Sequence, residues 1–205
     1  QEIWCTIMET FHGAEDALPD YRPNPDSRDR NPELWDEYPV QCLTGRRIPV
    51  YFHSEHRQLP WCREVWPVPR VEINPEDAAE WGIEQGDWVW IESPHGKIRE
   101  TADLYYGIPR GVINCEHTWW YPEMPAPEHG WRYSAVNQLV NNDIDDPHCG
   151  SAIVRGYPVK VYKATADNSP FGNPCPCTED GAEIIHDASD ARLKDWAPVY
   201  EGRDQ

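Results

Sequence analysis

RVEINPEDAAEWGIEQGDWVWIESPHGKIRETADL, residues 70–104, carries the signals that decide the fold. Its first four residues read as a short strand. Asn74-Pro75-Glu76-Asp77 then starts a helix. Asn serves as N-cap, Pro takes the first helical position where its missing N–H costs nothing, and the acids face the positive end of the helix dipole. Gly82 stops this helix after about two turns. Residues 82–87 turn, and 88–92 form a strand with Val89 and Ile91 on one face. Ser93-Pro94-His95-Gly96 is a tight turn, and 97–104 returns as the hairpin partner.

Strand signals continue on both sides. Downstream, Gly107-Ile108-Pro109-Arg110-Gly111 is a turn, 112–115 a short strand, and 158–162 another. Upstream, 40–43 is an apolar strand that breaks at Thr44-Gly45, and Pro60, Pro67 and Pro69 keep the following chain extended. Asn31-Pro32-Glu33 begins one helical turn before the first strand. Short strands at even spacing with few, short helices describe a mostly-β fold closed as a small barrel.

Between those strands lies YPVQCLTGRRIPVYFHSEHRQ, residues 38–58. Its chemistry suits an anion. Gly45 permits positive φ and close backbone approach, its N–H and the Thr44 hydroxyl can donate, and Arg46 and Arg47 can grip phosphate bidentately. A plain turn after a strand would leave the same residues, and the two readings stand side by side.

Composition narrows the partners. The 205 residues carry 36 acids against 18 basic residues, a net charge of −18, which argues against duplex nucleic acid as a partner. The charge lies in the flanks: residues 1–38 hold ten acids against three arginines, and 164–205 nine acids against three basic residues. These flanks read as extended arms around a barrel at 39–163. No apolar run is long enough to span a bilayer. The chain starts at Gln1 without a signal-like stretch and reads as a segment of something longer.

Seven cysteines are scattered, and the first five read as reduced and mostly buried. Cys175 and Cys177, with His186, could ligate a metal, but no second matching half accompanies them. The aromatic segment 116–133, HTWWYPE then GWRY, reads as a packed corner or as a loop lining a ligand at the barrel mouth.

Four blocks, taken together, resemble the C-terminal dinucleotide-binding domain of the molybdopterin oxidoreductases, the dimethyl sulfoxide reductase family. They are YPVQCLTGRR…FHSEHRQ, VEINPEDAAEWGIEQGDWVWIESPHGKI, GIPRGVINCEHTWW and VNQLVNNDIDDPHCGSAIVRGYPVKVY, which occur in the family's order. The resemblance implies a double-psi β-barrel with extended N- and C-terminal arms. It implies molybdopterin guanine dinucleotide as cofactor, holding molybdenum or tungsten. It matches Thr44, Gly45, Arg46 and Arg47 to the turn against the cofactor, and His53 and Ser54 to the following polar pair. Gln58, Asn137 and Arg155 match further cofactor positions, the last where relatives often carry lysine. The metal's own ligand and any iron–sulfur cysteines would belong to upstream domains of the same polypeptide. An electron-transfer iron–sulfur subunit is a further partner in such enzymes, and any targeting signal would also lie upstream. The segment should serve an oxidoreductase without turning over substrate alone. Two rival readings are a ligand-free interaction barrel and a self-processing decarboxylase, whose single Gly-Ser candidate is Gly150-Ser151.

Overall fold

The computed structural model describes residues 21, 23–46, 48–143, 150–153, 155–169, 185 and 189–194. Arg47, Cys149, Cys175, Cys177, His186, most of the C-terminal flank and residues 1–20 lie outside them. The described elements are α1 (Pro32–Glu37), β1 (Val40–Arg46), α2 (Pro60–Val65), β2 (Arg70–Ile73), α3 (Pro75–Glu80), β3 (Trp88–Ser93), β4 (Gly96–Leu104), β5 (Val112–Glu116), β6 (Tyr157–Lys163) and α4 (Ala191–Lys194). Two 3-10 turns, Trp131–Tyr133 and Val136–Gln138, lie between β5 and β6. No helix among the described residues is long and apolar enough to cross a membrane.

Six strands close a barrel in the order β1-β5-β2-β4-β3-β6. β1 runs parallel to β5 and β2 parallel to β4; the other neighbours are antiparallel. β1 and β2 therefore point in opposite directions with β5 between them, and β4 and β5 do the same around β2. Each three-strand unit takes its middle strand from the other, so the two crossings interlock. This is the double-psi barrel. Exchanging β1 with β4, β2 with β5 and β3 with β6 leaves the order unchanged, so the topology carries an internal two-fold.

Local chemistry holds these crossings in place. Asn74 caps α3 by accepting the Glu76 N–H at 2.9 Å, while its amide donates to the Ile108 carbonyl at 2.8 Å. The buried Asp77 accepts from Arg110 Nε at 2.7 Å and from the Gly111 N–H at 2.6 Å. The short helix after β2 is thereby fastened to the turn that launches β5. Gly82 ends α3 at φ +69°, a left-handed position that glycine occupies without a Cβ penalty. Inside the barrel Val71, Ile73, Val89, Ile91, Ile98, Ile113 and Val159 are fully buried. Each such side chain contributes about 1.5–3 kcal/mol relative to exposure.

Three local expectations need correction. Pro60 does not keep the chain extended; it opens α2, where a missing N–H is harmless. The first strand does not break at Thr44-Gly45 but runs to Arg46, with an irregularity in register between Leu43 and Arg46. Gly45 is not among the positive-φ residues. β5 continues alongside, and Asn114 Oδ1 takes the Gly45 N–H at 3.0 Å, so the strand ladder extends through a side chain.

Two glycine substitutions should therefore differ in sign. A Cβ on Gly96 would sit 2.6 Å from the Gln138 carbonyl oxygen, which presses the β3–β4 hairpin against the Val136–Gln138 turn. Gly96→Ala should cost about 1–3 kcal/mol. A Cβ on Gly45 meets Asn114 Oδ1 at an ordinary 3.7 Å, and Gly45→Ala should be neutral or stabilise by up to about 1 kcal/mol. Urea denaturation of the chain reads both.

Candidate functional site

The pairing directions send the C-terminal ends of β1, β3 and β5 to one mouth of the barrel, where β2, β4 and β6 begin. β1 and β5 finish side by side, with Arg46 opposite Glu116. In the connections that follow, residues 48–59 and 117–130 pack on each other.

Arg57 joins them. Its guanidinium is 1% exposed and donates to Glu55 O at 2.7 Å, Thr118 O at 2.5 Å and Glu116 Oε1 at 3.1 Å. Its carbon lies 4.1 Å from the Tyr51 ring centre and 4.9 Å from that of Trp119. Burial pulls Arg57 below the ordinary guanidinium range, and Glu116 opposes that shift. Glu116 is held in turn by Trp66 Nε1 at 3.1 Å, and its own N–H reaches Glu100 Oε2 at 3.3 Å. Tyr51 meets Trp119 edge-on at 5.4 Å and donates its hydroxyl to Trp66 O at 2.7 Å. Burial raises the Tyr51 phenol well above its usual range, so the hydroxyl stays a donor.

Two further contacts close this seam. His53 Nδ1 and His117 Nε2 are 3.0 Å apart, and Trp120 Nε1 donates to Ser54 O at 2.6 Å. Below them, Arg63 and Glu123 form a fully buried pair at 2.9 Å. The Ile185 backbone fits between the two, donating to Glu123 at 3.4 Å and accepting from Arg63 at 3.2 Å. That clamp brings one residue of the C-terminal flank to the aromatic corner.

The expected site residues fall out as follows. Thr44 and Gly45 lie at the end of β1 with the Arg46 backbone. The Gly45 amide is occupied by Asn114, whose own amide donates to Glu72 at 2.8 Å, so this N–H belongs to the barrel and is not offered to an anion. Exposed His53 and Ser54 sit on the loop that Arg57 anchors. Gln58 follows Arg57, and its Oε1 is enclosed with no hydrogen-bond donor. Asn137 is exposed on the Val136–Gln138 turn, which is held to the β3–β4 hairpin by Ser93 Oγ donating to Leu139 O at 2.8 Å. Exposed Arg155 precedes Gly156, whose N–H donates to Cys42 O at 2.8 Å beside β1. The β1 end and the 48–59 loop thus form one unit. Asn137 and Arg155 reach the barrel by separate segments.

Of the aromatic segment, Trp119 is fully buried and belongs to the packed corner. Cys42, Cys62 and Cys115 are free and buried, as expected of reduced thiols. No cluster of three or more His, Cys, Asp or Glu suited to a metal occurs among the described residues. The roles of Arg57, Glu116 and Asn114 were missed. The available signal was a glutamate closing the short strand Val112-Ile113-Asn114-Cys115, and a single arginine within an aromatic loop.

The family model described as Molydopterin dinucleotide binding domain matches residues 42–157. Dopamine dehydroxylase from Eggerthella lenta is 61% identical over the whole chain, which covers 20% of that protein. Acetylene hydratase from Syntrophotalea acetylenica is 30% identical across 79% of the chain and 23% of its own length. Among solved structures, acetylene hydratase from Pelobacter acetylenicus superposes with a TM-score of 0.72 at 27% identity, covering 79% of this chain and 23% of that one. The chain thus spans about one-fifth of the length of these curated relatives.

Removing one member of a buried ion pair strands the other. Arg57→Met should destabilise the chain by about 3–5 kcal/mol in urea denaturation. The double variant Arg57→Met with Glu116→Leu should lose less, because no unpaired carboxylate stays buried. A loss under about 1 kcal/mol for Arg57→Met would mean that the loop is held by packing alone.

Proposed function

This chain belongs to the molydopterin dinucleotide binding domain family, within the dimethyl sulfoxide reductase enzymes, and on that premise we propose that it is the C-terminal, cofactor-closing part of a molybdenum- or tungsten-dependent oxidoreductase. The form of the cofactor is read as molybdopterin guanine dinucleotide. Residues 39–163 make the barrel domain, 1–38 the arm towards upstream domains, and 164–205 the acidic C-terminal arm.

The observation that carries the reading is the enclosed Gln58 Oε1, an acceptor with no donor on the rim of the Arg57-anchored loop. A pterin offers ring and amino N–H groups, which fit such an acceptor. Asn137 adds an exposed carboxamide that can both donate and accept. Arg46 and Arg155 supply charge for phosphate, with Arg47 next to Arg46 in sequence. His53, Ser54 and Thr44 complete the polar edge. These eight residues fall inside the matched range 42–157.

When bound, the cofactor supplies two-electron chemistry at its metal. The chain's own residues bind and orient it, and the aromatic corner of Tyr51, Trp119 and Tyr121 keeps water from the anchored side. The metal's protein ligand, any iron–sulfur cluster and an electron-transfer partner are assigned to the longer polypeptide or its subunits. The 61% identity to a dopamine dehydroxylase supports removal of a hydroxyl group as the parent reaction. Replacing a hydroxyl by hydrogen consumes two electrons and two protons and releases water.

Metal and pterin content of the purified full-length enzyme tests this reading. Arg46→Ala removes a charge-assisted contact of about 1.5–3 kcal/mol and should lower cofactor retention by about tenfold or more. Asn137→Leu should lower it by up to about tenfold while the barrel stays folded. Unchanged content in both variants would leave a ligand-free interaction barrel as the better description.

A further inference from the structure

Two histidine rings meet at the seam. His53 Nδ1 and His117 Nε2 stand 3.0 Å apart with the rings nearly perpendicular, so they share one proton. Both backbones are held. His117 directly follows Glu116, which Arg57 and Trp66 fix, and Arg57 also takes the Thr118 carbonyl. His53 sits at φ +50°, a left-handed conformation uncommon outside glycine, with Trp120 on the carbonyl of the next residue and Phe52 edge-on to its ring. A strained, exposed residue fixed by its surroundings is a common feature of sites that do chemistry.

We infer that His53 and His117 form an acid–base pair at the mouth of the barrel, in which exposed His53 exchanges protons with the substrate side and His117 positions it. This deepens the cofactor-binding reading and rests on it. His117 engages Nδ1 of His53, so exchange falls to Nε2. With Nδ1–H donating to His117 Nε2, Nε2 of His53 is bare and accepts a proton, and the imidazolium so formed gives one up from the same atom. In both states Nδ1–H stays hydrogen-bonded to neutral His117. One proton enters and one leaves per cycle, and no electrons move through the pair. The neighbouring titratable and charged groups are Glu55, His56 and Arg57 on the loop, and Glu116 and His129 on the facing segment. Arg57 and Glu116 neutralise each other within the seam. A hydroxyl leaving as water needs such a proton donor.

The test compares His53→Gln, His117→Phe and His117→Gln in the full-length enzyme with reduced viologen as electron donor and dopamine as the substrate probe. His53→Gln should lower kcat about 10²-fold or more per bound metal, whatever the metal and pterin content. His117→Phe should lower kcat and alter the pH–rate profile at unchanged KM, and His117→Gln, whose carboxamide still reaches Nδ1, should restore most of both. In the 205-residue chain labelled with 15N-histidine, a coupling across the N–H···N bond should join His53 Nδ1 to His117 Nε2 and vanish in His117→Phe. Cofactor loss parallel to activity loss, an unchanged pH profile, or no coupling would each overturn the pair while leaving the cofactor reading intact. A wild-type enzyme without pterin would sink the cofactor reading and the pair's role with it, even if the coupling is seen.

Discussion

A guanidinium buried at the end of a barrel organises the rest of this protein. Taking Arg57 out of water costs several kcal/mol, and one carboxylate seldom offsets such a cost. Here the cost is met by several partners at once. Glu116 provides charge, two carbonyls accept further N–H groups, and Tyr51 and Trp119 lie close to the planar cation. The gain lies in geometry. The loop from Ile48 to Leu59 has no regular structure of its own, and ordering each residue costs about 1–2 kcal/mol of backbone entropy. Arg57 ties that loop to the end of β5, so His53, Ser54 and Gln58 are held in place before anything binds.

The barrel makes this anchoring effective. Its interlocked crossings place β1 and β5 parallel and adjacent, and their ends deliver two long connections to one mouth. Antiparallel neighbours would have sent those connections to opposite ends. The opposite mouth is finished differently. There, Asp77, Arg110 and Asn74 fasten short turns with hydrogen bonds that leave no long loop. The topological two-fold is thus broken by loop length.

Much of the barrel was legible because its signals are local. Asn74-Pro75 with two acids specifies a helix start, and a period of two with Ser93-Pro94-His95-Gly96 specifies a hairpin. Pro60 misled because proline favours both extended chain and the first helical position, and only the burial of Cys62 and Arg63 decides between them. The cradle proposed at 44–47 rested partly on a wrong local reading. Gly45 is extended, and its amide serves a cross-strand asparagine 69 positions away. No local pattern encodes that bond. The Arg57–Glu116 pair spans 59 positions and was invisible for the same cause. Long-range pairing is decided by topology, and the topology became readable here through a resemblance more than through periodicity.

The central claim is that one mouth of the barrel, bounded by Gln58, His53 and Asn137, faces the cofactor. A structure of the full-length holoenzyme tests it most directly. The account predicts that the pterin lies at that mouth, with a ring or amino N–H within hydrogen-bond distance of Gln58 Oε1. A cofactor lying instead at the opposite mouth, beside exposed Tyr105 and Tyr106, would contradict it.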